Sequence, residues 1–478
     1  MKYDFQHRFA VGKPQTYGFN FVGENVFPIL LYIGPTSEYY SEYEGCTVKS
    51  LITDEVFQEL SEMGVTVICG HNETHETILE ILNLCEKYRM VYLPRYNTKG
   101  FGFYDNQKKD IVGYDDLSDD EKKNAEQKFV SFINAYKDYP AFGGIMGGDE
   151  PGMRLVPAYI AMKKVFDSIC PDKLFYVNMF GPDSEKQVWL SHGPFVLDSL
   201  RDGHSSPDTL TWLDVIYNYA NTVGLEVMSF DNYIFYRNSI RPVLLRDVDR
   251  MRRGCYHPKP IWNCILNGQE GEELTGQTKA ETFYQANLSI AAGCSGLMLY
   301  PGFSPIECGH TPQRAFYDRK TGEKTEYYYW YKELLTHIHQ CEKVLMNSTY
   351  VGLIKTGVNG GEISSEKLIQ LEEHLEKQGT GDSVVHTSML LTSFGALNRV
   401  HSTKSQVLVG CYNYQGNVAL YLVNNSAYID TEVTLEFNEK QDVVNIENSQ
   451  EIFYKDIYQI KQQLSAGEGV LYVLGHIN

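Results

Sequence analysis

Hydrophobic and polar positions along the chain follow one pattern up to about residue 345 and another beyond it. Before that point, short apolar, β-branched or aromatic runs alternate with amphipathic segments at helical period. The runs cover residues 27–34, 65–70, 90–96, 141–148, 174–180, 226–233, 260–266 and 296–302. The clearest helical segments between and after them are 53–63, 74–88, 118–136, 156–169, 278–292 and 326–345. Eight such β-α units predict an α/β fold, a (β/α)8 TIM barrel.

Helix start and stop signals agree with this interpretation. Ser118 precedes three acidic residues, which favours a capped helix start with negative charge at the positive end of the helix dipole. Gly64 and Gly293 stand where helices should end before a strand. A doubly wound open sheet is the rival fold, but the turn after the first run, GPTSEYY, lacks the glycine-rich dinucleotide fingerprint.

The pattern changes after residue 345, where short segments of alternating polarity are separated by Asn and Gly turns. This alternation predicts an all-β domain, a β-sandwich. The expected division is therefore a barrel domain over residues 1–345 and a β-sandwich domain over residues 346–478. A purely structural role is expected for the second domain, with glycan binding and contacts in a homo-oligomer as the alternatives.

Composition and charge limit the kinds of binding partner that we expect. The chain has 478 residues with 42 Lys+Arg and 61 Asp+Glu, a formal charge of −19. That charge repels phosphate backbones and anionic lipid, so neither nucleic acid nor a membrane is an expected partner. The N-terminal segment lacks the apolar core of a signal peptide, so the expectation is a cytoplasmic protein, or a secreted one if a leader precedes this sequence. The ten cysteines include no CxxC pair, which is typical of buried thiols in a reducing compartment.

Candidate chemistry lies at the ends of the runs, because barrel enzymes collect reactive groups at the C-terminal ends of their strands. We expect substrate-binding side chains there, with Trp262 in the seventh run either lining a sugar platform or packing inside the barrel. The expected substrate-binding residues are His71, Arg95, Asp149, Asn178, Tyr233, Trp262, Gln269 and Tyr300.

Carboxylates at three run ends are the candidate catalytic residues. Cleavage of a glycosidic bond needs one acid to protonate the leaving oxygen and a second carboxylate to attack or to activate water. Glu150 is the expected acid, and Asp231 the expected partner, with Glu270 as the alternative. Asp149 precedes Glu150 and should point to the other side of an extended chain. A structural role is the competing interpretation: Asp149 or Glu150 pairs with Arg95 or caps the next helix.

The segment GGIMGGDEPG resembles the glycine-rich DEP segment at the fourth strand of glycoside-hydrolase-like barrels. PIWNCIL and the later TKAETFYQANLSIAAGCSGLMLYPGF are similar to their seventh strand, helix and eighth strand, and FYDRKTGEKTEYYYWYKELLTHI to their closing segment. The resemblance implies that Glu150 matches the general acid/base of the retaining clan A hydrolases. That clan usually has Asn where this chain has Asp149, and ends strand seven with a nucleophilic Glu where this chain reads NGQE. The nucleophile, and retention against inversion, therefore stay open, and other barrel glycosidases pair carboxylates from strands four and six.

Two further functions compete with a glycosidase that uses two carboxylates and no cofactor. A metal-dependent barrel hydrolase would use clustered His and Asp at the strand ends, and His71 with His75 is the nearest approach to such a cluster. A non-catalytic carbohydrate-binding barrel would keep the cleft without the chemistry. The presence of both Glu150 and Asp231 favours an enzyme over a non-catalytic binding protein.

Overall fold

The computed structural model describes residues 15–35, 50–71, 73–96, 100–105, 110–181, 212–236, 239–240, 243–255, 257–270, 276–303, 312–318, 323–356, 390–447 and 450–475. Eight parallel strands form one sheet: β1 (Ile29–Leu31), β2 (Val67–Cys69), β3 (Val91–Leu93), β4 (Gly144–Asp149), β5 (Leu174–Met179), β6 (Met228–Asp231), β7 (Ile261–Leu266) and β8 (Gly296–Tyr300). Their order is β3-β2-β1-β8-β7-β6-β5-β4, and parallel bridges from Tyr92 to Phe142 and from Arg95 to Met146 join β3 to the β4 segment. The predicted barrel is confirmed, with each predicted run supplying one strand.

Each barrel strand is followed by a helix. The helices are α1 (Asp54–Met63), α2 (His75–Lys87), α3 (Asp119–Tyr136), α4 (Val156–Ile169), α5 (Trp212–Tyr217), α6 (Leu244–Gly254), α7 (Lys279–Ala291) and α8 (Glu326–Leu345), and a π-helix (Asn218–Val223) extends α5. Side-chain caps explain several starts: the hydroxyls of Thr53, Thr74, Ser118 and Thr278 each accept a backbone N–H of the first turn. Gly64 ends α1 in the left-handed conformation. Short 3-10 helices at Tyr114–Asp116 and Met153–Leu155 lie in the loops before α3 and α4.

Three short antiparallel pairs decorate the barrel loops. They are Phe103–Asp105 with Asp110–Val112, Phe235–Tyr236 with Ser239–Ile240, and Gln269–Glu270 with Pro312–Arg314. All three follow the C-terminal ends of barrel strands, so they rise on the side of the barrel where the strand-end residues collect.

The barrel interior changes from apolar to polar along its axis. Near the starts of the strands, Trp262 is fully buried and its ring lies 5.7 Å from that of Tyr176 and 6.3 Å from that of Phe19. Val91 and Leu174 belong to the same buried cluster. Burial of these side chains closes this end of the barrel, so polar groups and any ligand are left to the opposite end, which we call the mouth.

The C-terminal domain is an antiparallel sheet that folds over on itself. Its strands are β9 (Ser348–Lys355), β10 (Leu397–Ser402), β11 (Val407–Tyr414), β12 (Asn417–Asn424), β13 (Thr431–Glu447), β14 (Gln450–Leu464) and β15 (Gly469–Leu474). The first half of β13 pairs with β10 and the second half with β15, and the register shifts between Glu436 and Val443 let β13 cross from one layer to the other. Val409 and Leu422 of one layer share a buried core with Val433 and Ile460 of the other. This arrangement confirms the predicted sandwich.

The other face of this sheet packs on α7 of the barrel through tyrosine and asparagine side chains. Tyr421 donates its hydroxyl to Asn287 Oδ1 at 2.7 Å, and Asn287 Nδ2 donates to the carbonyl of Gly467 at 2.9 Å. Tyr412 donates to the carbonyl of Ile290. A Cβ at Gly410 would lie 2.4 Å from the carbonyl oxygen of Ala291, so glycine is required for this close approach. We call this contact region the junction.

Two further features concern the whole described chain. None of its helices combines the length and the apolar character needed to span a membrane. The eight cysteines within the described residues are buried and free: Cys69, Cys85, Cys170, Cys255, Cys264, Cys294, Cys341 and Cys411.

Candidate active site

Asp231, the last residue of β6, is the centre of a hydrogen-bonded cluster in the mouth. Its Oδ1 accepts from Asn178 Nδ2 at 2.7 Å and from the Tyr233 hydroxyl at 3.2 Å. The carboxyl group of Glu150 also hydrogen-bonds to Asp231. Glu150 and Asp231 are 81 positions apart in the sequence. They meet because β4 and β6 both end at the mouth.

Asn178, on β5 between these two strands, links a second carboxylate to Asp231. Its Nδ2 also donates to Asp149 Oδ1 at 3.2 Å. Its Oδ1 accepts the Ser229 hydroxyl at 3.0 Å, and Ser229 in turn accepts the hydroxyl of Tyr176 at 2.6 Å. Because this chain of donors fixes the orientation of the amide, the NH2 group faces the two carboxylates.

Asp149 has a second donor on the opposite side of the mouth. The Tyr32 hydroxyl donates to Asp149 Oδ2 at 2.7 Å and accepts from Arg95 Nη1 at 3.0 Å. Arg95 Nη1 also lies 3.2 Å from His71 Nδ1. The guanidinium is therefore linked to Asp149 through the hydroxyl of Tyr32. The competing structural interpretation expected Arg95 to pair directly with Asp149 or Glu150.

The prediction that Asp149 and Glu150 point to opposite sides was wrong. A β-bulge between Met146 and Gly148 shifts the register of β4 against β5, and Asp149 then points into the mouth. Glu150 has a φ of +46°, so the chain is no longer extended where its side chain leaves the backbone. Both acidic side chains consequently act on Asp231. Asp149 acts through its charge, and Glu150 forms a hydrogen bond with Asp231.

The electrostatics of this cluster favour a retained proton. Burial, together with the negative charge of Asp149, raises the pKa of Asp231 from 3.8 to about 6. Hydrogen bonds from Glu150, Asn178 and Cys264 act in the opposite direction and lower the same pKa. A carboxyl whose pKa is close to neutral and which contacts a second carboxyl is suited to proton transfer at physiological pH.

Tyrosine rings line the mouth beside the acids. The rings of Tyr233 and Tyr300 stack with centroids 5.5 Å apart and an interplanar angle of 24°, and the ring of Tyr32 lies 5.8 Å from that of Tyr300. Burial raises the pKa of Tyr32 and of Tyr233 well above 10.0, so both hydroxyls stay protonated and act as donors. Flat rings of this kind bind the apolar faces of sugar rings, while their hydroxyls make hydrogen bonds.

Of the predicted site residues, the structure brings together Glu150, Asp231, Asp149, Asn178, Tyr233, Tyr300, Arg95 and His71. Trp262 does not join them, and its proposed place on a sugar platform was wrong. It lies near the start of β7, level with Ser229 and two residues before Cys264, the residue level with Asp231, and it packs in the closed end. Gln269 and Glu270 form a short strand beyond β7, and their side chains lie outside the described residues.

Sequence reasoning missed Tyr32, Tyr176 and Ser229. Tyr32 sits just after β1, two residues from the inward-facing Leu30, so the alternation of the first run placed its side chain inside the barrel. The same alternation relates Ser229 to Asp231 on β6 and Tyr176 to Asn178 on β5. The alternation of side chains along the strands was therefore the signal that could have identified these three residues.

The part of the chain that the structure describes contains no group of three or more His, Cys, Asp or Glu side chains arranged to hold a metal ion. His75, the second histidine of the metal alternative, instead bonds through Nδ1 to the hydroxyl of Tyr136 at 2.7 Å.

Comparison with known proteins gives matches at the level of structure. No protein-family model matches the sequence. No curated protein matches it either. Similar solved structures include an α-amylase from Anoxybacillus (10% identity, TM-score 0.49, 95% of this chain and 98% of that one). A maltogenic α-amylase from Thermotoga neapolitana (9%, 0.48, 95% and 99%) and a family 5 glycoside hydrolase from Bacteroides vulgatus (10%, 0.48, 93% and 94%) are others. Since barrels of one architecture carry many chemistries, function has to be argued from the mouth itself.

Proposed function

We propose that the protein is a glycoside hydrolase that cleaves an O-glycosidic bond of an oligo- or polysaccharide by acid/base catalysis. One observation carries the proposal: the carboxyl of Glu150 hydrogen-bonds to that of Asp231, whose pKa is raised to about 6, at the open end of a barrel. The stacked rings of Tyr233 and Tyr300 lie beside this pair and supply a surface for a sugar.

The two carboxyl groups have different surroundings and therefore different roles. Asp231 accepts from Asn178 and Tyr233, which hold its carboxylate in place and stabilise its negative charge. A hydrogen bond between two carboxyl groups needs one proton, and because this bond lowers the pKa of Asp231, we assign the proton to Glu150. Glu150 accordingly protonates the glycosidic oxygen, and Asp231 supplies the negative charge that faces the forming oxocarbenium ion.

The direct contact between these groups indicates how substrate enters. Carboxyl separations of about 5 Å and about 6.5–9.5 Å serve retaining and inverting glycosidases, and a hydrogen-bonded pair is closer than either. A sugar has to part Glu150 from Asp231 before cleavage. Glu150 is the one that moves, because it is half-buried and follows the end of β4, while Asp231 is held by two further donors.

Asp149 and its partners tune the pair without touching the scissile bond. Its charge raises the pKa of Asp231 and keeps the shared proton in the mouth near neutral pH. Tyr32 and Arg95 act behind it, since the hydroxyl of Tyr32 accepts from Arg95 and donates to Asp149. This chain of bonds holds the Asp149 carboxyl group in place.

A glycan hydrolysis screen of the wild-type protein beside Glu150→Gln tests the proposal. The amide keeps the shape of the side chain but cannot give up a proton, so turnover should fall by about 10²–10⁴-fold. Released reducing ends or chromogenic aglycone measure turnover. Glu80→Gln, an exposed change on α2, is the matched control and should leave turnover unchanged.

Two outcomes contradict the proposal. If the wild-type protein binds glycans but hydrolyses none of them, the barrel is a carbohydrate-binding module and the acids serve recognition. If hydrolysis occurs and Glu150→Gln retains it in full, the acid is another residue, with Glu270 the next to replace.

A further inference from the structure

A cavity of about 450 Å³ lies on the outer wall of the barrel, between α7, α8 and the turn that precedes β15. Phe283 of α7, Tyr329 and Thr336 of α8, and Glu468 and Gly469 of the C-terminal domain contribute to its walls. Its lining contains none of the residues that the structure places in the mouth. The volume falls within the range of small-ligand sites, about 300–1,000 Å³.

An exposed aromatic ring lies at this cavity. Tyr329 is 59% exposed and contributes to the cavity wall. Its ring stands at 84° to the ring of the buried Tyr328, with centroids 5.4 Å apart. The buried Tyr328 ring therefore packs against one side of the Tyr329 ring and leaves the rest of it accessible.

The charged groups around the cavity are already paired. Lys332 lies 3.5 Å from Glu62, and Glu333 accepts from Lys279 at 2.6 Å. Glu468 accepts the backbone N–H of Ser465 at 2.7 Å. A phosphate or a carboxylate would thus have to displace an acidic neighbour, whereas a neutral ligand would not.

Neutral hydrogen-bonding groups complete the lining. Burial lowers the pKa of His337 to about 4, although a hydrogen bond with the backbone of Gly469 acts in the opposite direction. The imidazole is therefore uncharged at neutral pH, and the backbone of Gly469 and Cys341 Sγ, 3.9 Å from its Nε2, hold it in the cavity wall. The Thr336 hydroxyl and the Gln340 amide belong to the same lining. An exposed ring beside neutral donors and acceptors suits a polyhydroxylated ligand without charge.

From these features we infer that the cavity is a second saccharide-binding site, separate from the mouth, which takes neutral sugar residues of the same glycan class. The choice of glycan rests on the proposed function. Since the turn at Glu468 and Gly469 forms one wall, the site exists only while the C-terminal sheet is docked on α7. This gives the sheet a role in holding substrate near the enzyme.

The experiment uses the full chain with Glu150→Gln, so that bound glycan is not consumed. Isothermal titration with short malto-, cello-, xylo- and manno-oligosaccharides should reveal two sites for the accepted series. Adding Tyr329→Ala should weaken one site about tenfold, the loss of one stacking contact, and adding Thr336→Trp should block that site by filling the cavity. Tyr458→Ala is the matched control, because Tyr458 is 57% exposed on β14 and does not line the cavity.

Four outcomes are decisive. Weakening of one site by Tyr329→Ala and its loss with Thr336→Trp, with Tyr458→Ala unchanged, support the inference. An unchanged number and affinity of sites in both variants overturns it, and so does preferential binding of inorganic phosphate over the neutral sugars at this cavity. If the wild-type protein hydrolyses no glycan but Tyr329→Ala still weakens one site and Thr336→Trp still blocks it, the second site stands and the proposed function fails.

Discussion

The mouth and the junction are built from the same kinds of side chains but differ in their acceptors. At the junction, Tyr421 donates to the amide of Asn287, and Tyr412 to a backbone carbonyl. In the mouth, Tyr32 and Tyr233 donate to carboxylates, and two carboxyl groups contact each other. Neutral acceptors let the junction bonds stabilise the fold, whereas crowded acids reduce stability in return for reactivity.

This difference predicts that disrupting the two regions has opposite effects. A residue removed from the junction leaves buried partners unsatisfied. A charge removed from the mouth relieves repulsion and desolvation.

Asn287→Ala should have the largest effect on stability. It leaves the Tyr421 hydroxyl and the Gly467 carbonyl without their partner in a buried region, which should lower the free energy of unfolding by about 2–4 kcal/mol. Chemical denaturation measures the loss. Tyr428→Phe is the control, since the hydroxyl of Tyr428 bonds Glu281 at the exposed rim and its loss should change stability by less than about 0.5 kcal/mol. Equal losses in the two variants would contradict the view of the junction as a buried network.

Asp231→Asn should stabilise the protein at neutral pH. The raised pKa of Asp231 means that the folded state favours its protonated form, so its contribution to stability is present below pH 3.8 and is lost as the pH rises through about 6. The variant should therefore exceed the wild type by about 1–3 kcal/mol at pH 7. The same comparison at pH 4 should show the advantage largely gone. If the difference in stability between Asp231→Asn and the wild type is the same at pH 4 and pH 7, it comes from packing and not from the pKa of Asp231.

Asp149→Asn should move the acid side of the pH-activity profile. Catalysis requires ionised Asp231, so activity should rise as the pH increases through about 6 in the wild type. Removing the charge of Asp149 lowers the pKa of Asp231 and should shift this rise to lower pH by up to about one unit. Asp120→Asn removes an equal charge from the exposed start of α3 and should not shift it. A shift to higher pH would have the wrong sign.

The smallest effect concerns the backbone at Glu150. Its φ of +46° is unfavourable for a residue with a Cβ, so Glu150→Gly should be more stable than Glu150→Gln by about 0.5–1 kcal/mol. At Glu80, inside α2, the same pair of substitutions should give the opposite order, because glycine disfavours helix. Thermal denaturation of the four proteins measures both differences. If the Gly and Gln variants have the same order of stability at both positions, the backbone at Glu150 is not strained.

Much of the barrel could be predicted because its signals are local. Each strand is a short apolar run and each helix a segment of helical period, and caps such as Ser118 mark where helices begin. The rule that strand ends share one rim then placed Asn178, Asp231 and Tyr300 in a single region. Trp262 was misjudged because distance along the strand, and not its chemistry, decides which end of the barrel it occupies.

The details of the site could not be predicted because they depend on register and on single backbone angles. The bulge in β4 and the left-handed Glu150 are each one-residue departures from regular geometry, yet together they turn two consecutive acids toward Asp231. Tyr32 reaches Asp149 across 117 positions of sequence, a contact that no local pattern contains.

The order of polar and apolar residues alone determined the eight β-α units, the all-β domain after them and the set of polar residues at the strand ends, since these follow from periods of two and of 3.6 residues. Only the closed barrel decided that Glu150 hydrogen-bonds to Asp231 and that the pKa of Asp231 approaches neutrality. The physical reason is that burial and the field of a neighbouring charge depend on distances through space, which closure of the barrel sets.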